Sequence, residues 1–121
     1  MGQTRCRRRV SAEEEYLGHA IRLEARWQGA DLAVRLYGGV RPHIGSVVLA
    51  VPRPGLQDSS RMSATASVLN RPGHQDERPA RRLAESFASR LRTNVAVLSG
   101  IHYEDLTGEQ IQEVDRVWGP W

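Results

Sequence analysis

Hydropathy along this chain changes period, from two to about 3.6, and that change limits the folds open to it. Leu17, His19, Ile21, Leu23, Ala25 and Trp27 share one parity, while Arg22, Glu24, Arg26 and Gln28 take the other. Such alternation predicts a half-buried antiparallel strand. Gly29-Ala30-Asp31 predicts a tight turn, after which Leu32, Val34 and Leu36 resume the alternation against Arg35 and Tyr37, as in a hairpin. His19 falls with the apolar set and reads as a packed or edge histidine rather than a ligand. Gly38-Gly39 breaks the strand. Ile44 to Val51 is nearly all apolar, as expected of a central strand covered on both faces. Pro52, Pro54 and Gly55 end that run, and Gln57 to Arg61 reads as a polar loop. Ser63, Thr65 and Ser67 then alternate with Ala64, Ala66 and Val68, which predicts a strand with a hydroxyl-bearing face.

The period switches at Asp76, a good helix N-cap, with Pro79 in the first turn where its missing N–H costs little. Ala80, Leu83, Ala84, Phe87, Ala88 and Leu91 recur at helical spacing, with Arg81, Arg82, Glu85 and Arg90 outside, predicting a helix over Asp76–Arg92. Asn94 to Ile101 reads as a further strand. Thr107 and Gln110 form a capping-box pair, and Ile111, Val114 and Trp118 give the stripe of a second helix over Thr107–Trp118, stopped by Gly119-Pro120. Trp121 lies off that stripe and suits either a partner contact or a frayed end. The order predicts a two-layer α+β domain, with a mainly antiparallel sheet and two helices on one face. A sheet of this size with an exposed edge can pair as a homodimer.

At 121 residues the chain is expected to form one domain, over 16–121, behind a flexible Arg/Glu-rich tail over 1–15. The tail holds Arg5, Arg7, Arg8 and Arg9, followed at once by Glu13, Glu14 and Glu15. All 17 basic residues are Arg, yet the net charge is only +3. Codon choice in a high-GC genome explains that bias, and phosphate binding by guanidinium forks is the functional alternative. No extended basic face suggests nucleic acid. No run reaches the ~18 apolar residues of a membrane span, and no apolar segment follows the arginines as in a signal peptide. A cytoplasmic location is therefore expected. The single Cys6 cannot form an internal disulfide.

No GxSxG, Walker A or GxGxxG motif occurs, and Cys6 lies in the tail, away from fixed oxyanion donors. The acidic pairs Asp76-Glu77 and Glu104-Asp105 sit where helix caps are expected. A binding function is thus favoured over catalysis. Three of the four histidines occupy Gly/Pro-flanked segments: Arg41-Pro42-His43-Ile44-Gly45, Arg71-Pro72-Gly73-His74-Gln75-Asp76 and Ser99-Gly100-Ile101-His102-Tyr103-Glu104. A lone loop histidine is commonly an ordinary surface residue, but three in similar settings point to a site. His43 precedes one strand, His74 lies between strand and helix, and His102 ends the last strand. If those ends share one edge of the sheet, the imidazoles converge near a helix N-terminus suited to an anion. Ser63 and Thr65 would complete a polar pocket. Spacing leaves the ligand open.

The stretches Gly38-Gly39-Val40-Arg41-Pro42-His43-Ile44-Gly45, Ser63-Ala64-Thr65-Ala66-Ser67-Val68-Leu69-Asn70, Gly73-His74-Gln75-Asp76-Glu77 and Ser99-Gly100-Ile101-His102-Tyr103 resemble, in order, the LpdD family. These are small proteins associated with UbiD-like aromatic-acid decarboxylases, and the resemblance covers roughly Gly38 to Val114. It implies a non-enzymatic chaperone that binds reduced prenylated FMN and assists activation of a UbiD-like decarboxylase. It also implies a fold similar to small proteasome-assembly chaperones, and a site assisted by a divalent metal. By matching motif, His43, His74 and His102 are carried over as cofactor and metal residues, with Arg41, Ser63, Thr65 and Asp76 as further cofactor contacts. The third motif departs from the family in having Gln75 in place of Lys, so that a phosphate-facing charge would come from Arg71 or Arg78. The alternatives are an accessory subunit that stabilises the decarboxylase without cofactor, and a small metal-dependent enzyme.

Overall fold

A computed structural model describes residues 9–16, 18–72 and 77–102. They form a six-stranded sheet with one helix against it. In chain order the strands are β1 (Arg9–Tyr16), β2 (His19–Gln28), β3 (Asp31–Gly39), β4 (Ser46–Pro54) and β5 (Met62–Asn70). Helix α1 (Glu77–Leu91) and β6 (Val95–His102) follow. Across the sheet the order is β1-β2-β3-β6-β4-β5. β3 and β6 run parallel, and every other neighbouring pair is antiparallel. The expected α+β class and mainly antiparallel sheet are both present. The second expected helix, over 107–118, lies outside the described residues.

Register follows from the alternation. Leu23 faces Leu36, Val34 faces Val97, and Val97 faces Val48, so the apolar parity of each strand lands on one common face. Ile21, Val34, Leu36, Val48, Val95 and Val97 are fully buried there. Slipping any strand by one residue would turn its apolar set to the opposite face, which is what holds the register. Helix α1 packs its Ala80, Leu83, Ala84 and Ala88 stripe on β4, β5 and β6, and all four are fully buried. Burying a side chain such as Leu83 stabilises by about 1.5–3 kcal/mol. The helix stops at Leu91 because Arg92 takes a left-handed conformation (φ 54°), and the Thr93 N–H donates back to the Ala88 carbonyl at 3.3 Å.

Two expectations change. The first concerns the tail: residues 9–16 are strand β1, paired along its length with β2. The acidic run hides the alternation, but Ala12 lies opposite Leu23 and Glu13 opposite Arg22. Glu13 Oε1 accepts from Arg22 Nε at 2.9 Å, and that bond, with Glu13's charge, raises the guanidinium above its ordinary pKa. A charged edge strand is a common way to stop a sheet from adding further strands. The second concerns β4, expected to be covered on both faces. Val48 and Ala50 are buried, but Leu49 and Val51 remain 48% and 45% exposed on the second face. β4 is interior by hydrogen bonding, between β5 and β6, yet only its helix side is fully closed.

Candidate functional site at the strand ends

The topology brings four strand termini to one end of the sheet. β3 ends at Gly39, which pairs with His102 at the end of β6. β4 begins at Ser46, which pairs with both Ser99 of β6 and Asn70 at the end of β5. Since α1 starts soon after Asn70, its N-terminus belongs to this end too. Ligands of open α/β sheets favour the carboxyl ends of parallel strands, and β3, β6 and β5 all end here.

The segment from Val40 to Gly45 crosses this end and is stitched down by backbone bonds. Val40 N–H donates to the His102 carbonyl at 2.7 Å, and Gly45 N–H donates to the Ser99 carbonyl at 2.7 Å. Arg71 N–H donates to the Gly45 carbonyl at 2.8 Å, and Arg71 Nη1 donates to the Ile44 carbonyl at 3.0 Å. Gly39 has φ 80°, and a side chain there would strike the His102 carbonyl. The two breaker glycines that end β3 thus let the chain turn tightly over β6.

Three sequence-identified residues meet as a result. Arg41 Nη2 lies 3.3 Å from His102 Nε2, and His43 Nδ1 lies 3.0 Å from the Arg41 carbonyl. The rings of His43 and His102 stand edge to face, with centroids 6.2 Å apart and planes at 78°. A guanidinium only donates, so His102 Nε2 accepts and the proton of the neutral ring sits on Nδ1. A carbonyl only accepts, so His43 Nδ1–H donates and Nε2 carries the lone pair of its neutral ring. Arg41 is exposed and both histidines are half-buried.

Ser63 and Thr65 are not brought to this cluster. Thr65 pairs with Val51 and Ser63 with Arg53, whereas Asn70 is the β5 residue level with Ser46. That places Thr65 about 17 Å down the strand from Asn70, at ~3.4 Å per residue. Its Oγ1 accepts instead from Arg53 Nε at 2.6 Å. The alternation identifies the face these hydroxyls occupy and says nothing of the end. His74 and Asp76 lie outside the described residues. His19 is exposed at the start of β2, a strand interior to the sheet, so it is neither packed nor on an edge strand as its parity suggested.

The structure adds residues that the sequence reading passed over. Tyr37 donates its hydroxyl to Glu24 Oε2 at 2.8 Å, and Arg35 Nη1 donates to Glu24 Oε1 at 3.1 Å. The Arg35 guanidinium lies over the Tyr37 ring, 5.1 Å from its centroid. Their shared parity in β3 was the available signal. Ser46 Oγ donates to Asn70 Oδ1 at 2.5 Å, while Ser99 Oγ is fully buried with no hydrogen-bond partner among the described residues.

Residues 15–119 match the family described as the prenylated flavin chaperone LpdD-like domain. The chain belongs to that family. The match takes in β2 to β6, α1 and the strand-end cluster, and leaves most of β1 outside. Membership in a chaperone family makes this LpdD-like protein an accessory protein rather than an enzyme. No curated protein matches the chain.

The divalent metal expected on His43, His74 and His102 gains no support from the LpdD-like domain as described. Among the described residues, no group of three or more His, Cys, Asp or Glu is placed to hold a metal ion. The His102 Nε2 lone pair already faces the Arg41 cation, where a metal would otherwise approach. The donors this cluster offers an anion are the N–H groups of the Arg41 guanidinium.

Proposed function

We propose that this LpdD-like domain carries reduced prenylated FMN and assists its loading into a UbiD-like aromatic-acid decarboxylase. The observation that carries the reading is the Arg41–His43–His102 cluster at the carboxyl ends of β3 and β6, in a chain of the prenylated flavin chaperone family. The cargo's phosphate is an anion that needs a cation or several N–H donors. Arg41 supplies the charge and several N–H donors, and His43 and His102 hold its backbone and side chain in place. A carrier has to release what it binds, and a site whose main cation is exposed suits moderate, reversible affinity. The decarboxylase is the recipient that the resemblance to the LpdD family implies for such a cofactor.

The test is an anaerobic titration of reduced prenylated FMN into wild type, Arg41→Ala, His43→Ala and His102→Ala, each with and without chelator. Charge-assisted hydrogen bonds are worth about 1.5–3 kcal/mol, so Arg41→Ala should lose roughly 10- to 100-fold in affinity. Chelator should change nothing if the cluster takes phosphate directly. A chelator-sensitive affinity would restore the metal to the site. Unchanged affinity in all three variants would remove the cluster from cargo binding.

A second reading, an accessory subunit that supports the decarboxylase without touching cofactor, is favoured by one observation. Leu49, Val51 and Leu69 are exposed on the second face of the sheet, and Leu69 is 75% exposed. Exposed apolar groups in one region commonly mark a protein contact. Wild-type protein that binds no reduced flavin but still raises decarboxylase activity would select this reading.

A further inference from the structure

Beside the strand-end cluster, on the second face of the sheet, lies a groove of about 270 Å³ lined by Arg35, Tyr37, Pro42, His43, Ile44 and Leu98. Its origin is in the register. Arg35 pairs with Leu98 and Tyr37 pairs with Gly100, so β3 and β6 form the floor. Gly100 contributes no side chain, and the backbone of His43 sits directly above it. The segment Pro42-His43-Ile44 therefore rises as a wall opposite Tyr37.

The chemistry of the lining is mixed in a particular way. Pro42, Ile44 and Leu98 are apolar, and Ile44 is 52% exposed at the rim. Facing them is the Arg35–Tyr37 stack, which Glu24 holds with one carboxylate oxygen on each partner. Glu24 thus orders the stack from within the protein, and an ordered surface loses less on binding than one that must be ordered. A planar guanidinium already lying on one aromatic ring offers its other side to a second flat π-system. Apolar walls with a stacked cation suit a flat fused ring with polar edges. Ligand pockets usually run to ~300–1,000 Å³, so this groove covers one end of a nucleotide-sized molecule and leaves the rest to the neighbouring cluster. His43 belongs to both, which makes them one continuous surface.

We propose that this groove seats the fused-ring end of the cargo, against the Arg35–Tyr37 stack and between Leu98 and Ile44. The inference rests on the carrier reading above and divides that site in two: ring in the groove, phosphate at Arg41, His43 and His102. Arg35, Tyr37 and Ile44 then determine which flat ligand is accepted, and Arg41 determines that it carries phosphate.

The experiment compares two probes, reduced prenylated FMN and inorganic phosphate, on wild type, Arg35→Ala, Ile44→Ser and Arg41→Ala under anaerobic conditions. Arg35 and Ile44 are both exposed enough to change without emptying the core, and thermal melts confirm folding. Arg35→Ala and Ile44→Ser should each weaken the flavin by about tenfold and leave phosphate binding unchanged. Arg41→Ala should weaken both probes. Tyr37→Phe, which keeps the ring and loses the bond to Glu24, should weaken the flavin less than Arg35→Ala. Flavin affinities of Arg35→Ala and Ile44→Ser within twofold of a wild type that does bind would overturn the groove and leave the carrier reading standing. A wild type that binds no reduced flavin overturns the carrier reading itself, and the groove assignment with it.

Discussion

The carbonyl oxygen of His43 occupies the space that a side chain at Gly100 would need. The obstacle is backbone, tied to β6 through the bond from Gly45 N–H to the Ser99 carbonyl, so it cannot swing aside as a flexible side chain would. Glycine at 100 is therefore a condition for His43 to lie against β6, and through it for the 6.2 Å approach of the two imidazole rings.

Gly100→Ala should separate the 41–45 segment from β6. Overpacking of this kind costs about 1–3 kcal/mol. The variant should melt earlier than wild type and lose reduced-flavin affinity, with the loss at least as large as that of His43→Ala. A Gly100→Ala protein that melts and binds as wild type does would show that the segment relaxes freely and that the close approach has no bearing on the site.

Arg41 is expected to resist conservative replacement. Its guanidinium can lie against His102 Nε2 and still direct other N–H groups at a phosphate, whereas a lysine ammonium is a single point of charge. Arg41→Lys should therefore fall between wild type and Arg41→Ala in cargo affinity. Both substitutions should leave the melting temperature within a degree or two, as is usual for an exposed side chain. Titration at two ionic strengths checks the charge component, because Arg41→Ala should lower the salt dependence and Arg41→Lys should keep it.

The legibility of the sequence differs from element to element, for physical reasons. β2, β3 and α1 are plain because each buries one face against one core, which imposes a period that a single segment displays by itself. β1 is hidden because edge strands carry charge: Glu13 needs Arg22, a residue in the next strand, before its place makes sense. The cluster is half legible. Arg41, His43 and His102 stand in recognisable loop settings, but their meeting depends on β6 being inserted between β3 and β4, a non-local fact. Ser63 and Thr65 show the converse, since parity assigns their face correctly while register moves them to the far end of β5. The Glu24–Arg35–Tyr37 group has no motif at all. It arises from cross-strand neighbours in the β2–β3 hairpin, where Glu24 pairs with Arg35 and reaches diagonally to Tyr37.

Among the described residues the two edges of the sheet are unlike, and that difference predicts which edge would carry any self-association. β1 carries Arg9, Glu13, Glu14 and Glu15, whereas β5, Met62 to Asn70, has no charged residue. Uncharged edges are templates for pairing, and charged ones are protected. Should two copies associate, β5 rather than β1 is the edge expected to carry the contact. Sedimentation at increasing concentration should then show a dimer for wild type and a monomer for Ser67→Lys, a surface change on that edge. Equal association by both proteins would exclude β5 as the contact.

Truncation from the N-terminus distinguishes the part of the chain that builds the sheet from the part that binds. β1 is separated from the strand-end cluster by β2, and from β6 by both β2 and β3. Removal of residues 1–8 leaves β1 intact and should change neither melting temperature nor cargo affinity. Removal of residues 1–16 deletes β1, strips the outer hydrogen-bonded partner from β2 and uncovers Leu23, which is otherwise 3% exposed opposite Ala12. Loss of that strand should lower the melting temperature by several degrees, since one or two kcal/mol is a large share of a small domain's stability. It should also promote aggregation, because β2 becomes an edge whose covered-face residues Ile21, Leu23 and Ala25 are no longer flanked. Affinity for reduced prenylated FMN, measured below the new melting temperature, should stay within about twofold of wild type. A loss of affinity on removing residues 1–8 alone would instead bring Arg5, Arg7 and Arg8 into the cargo site.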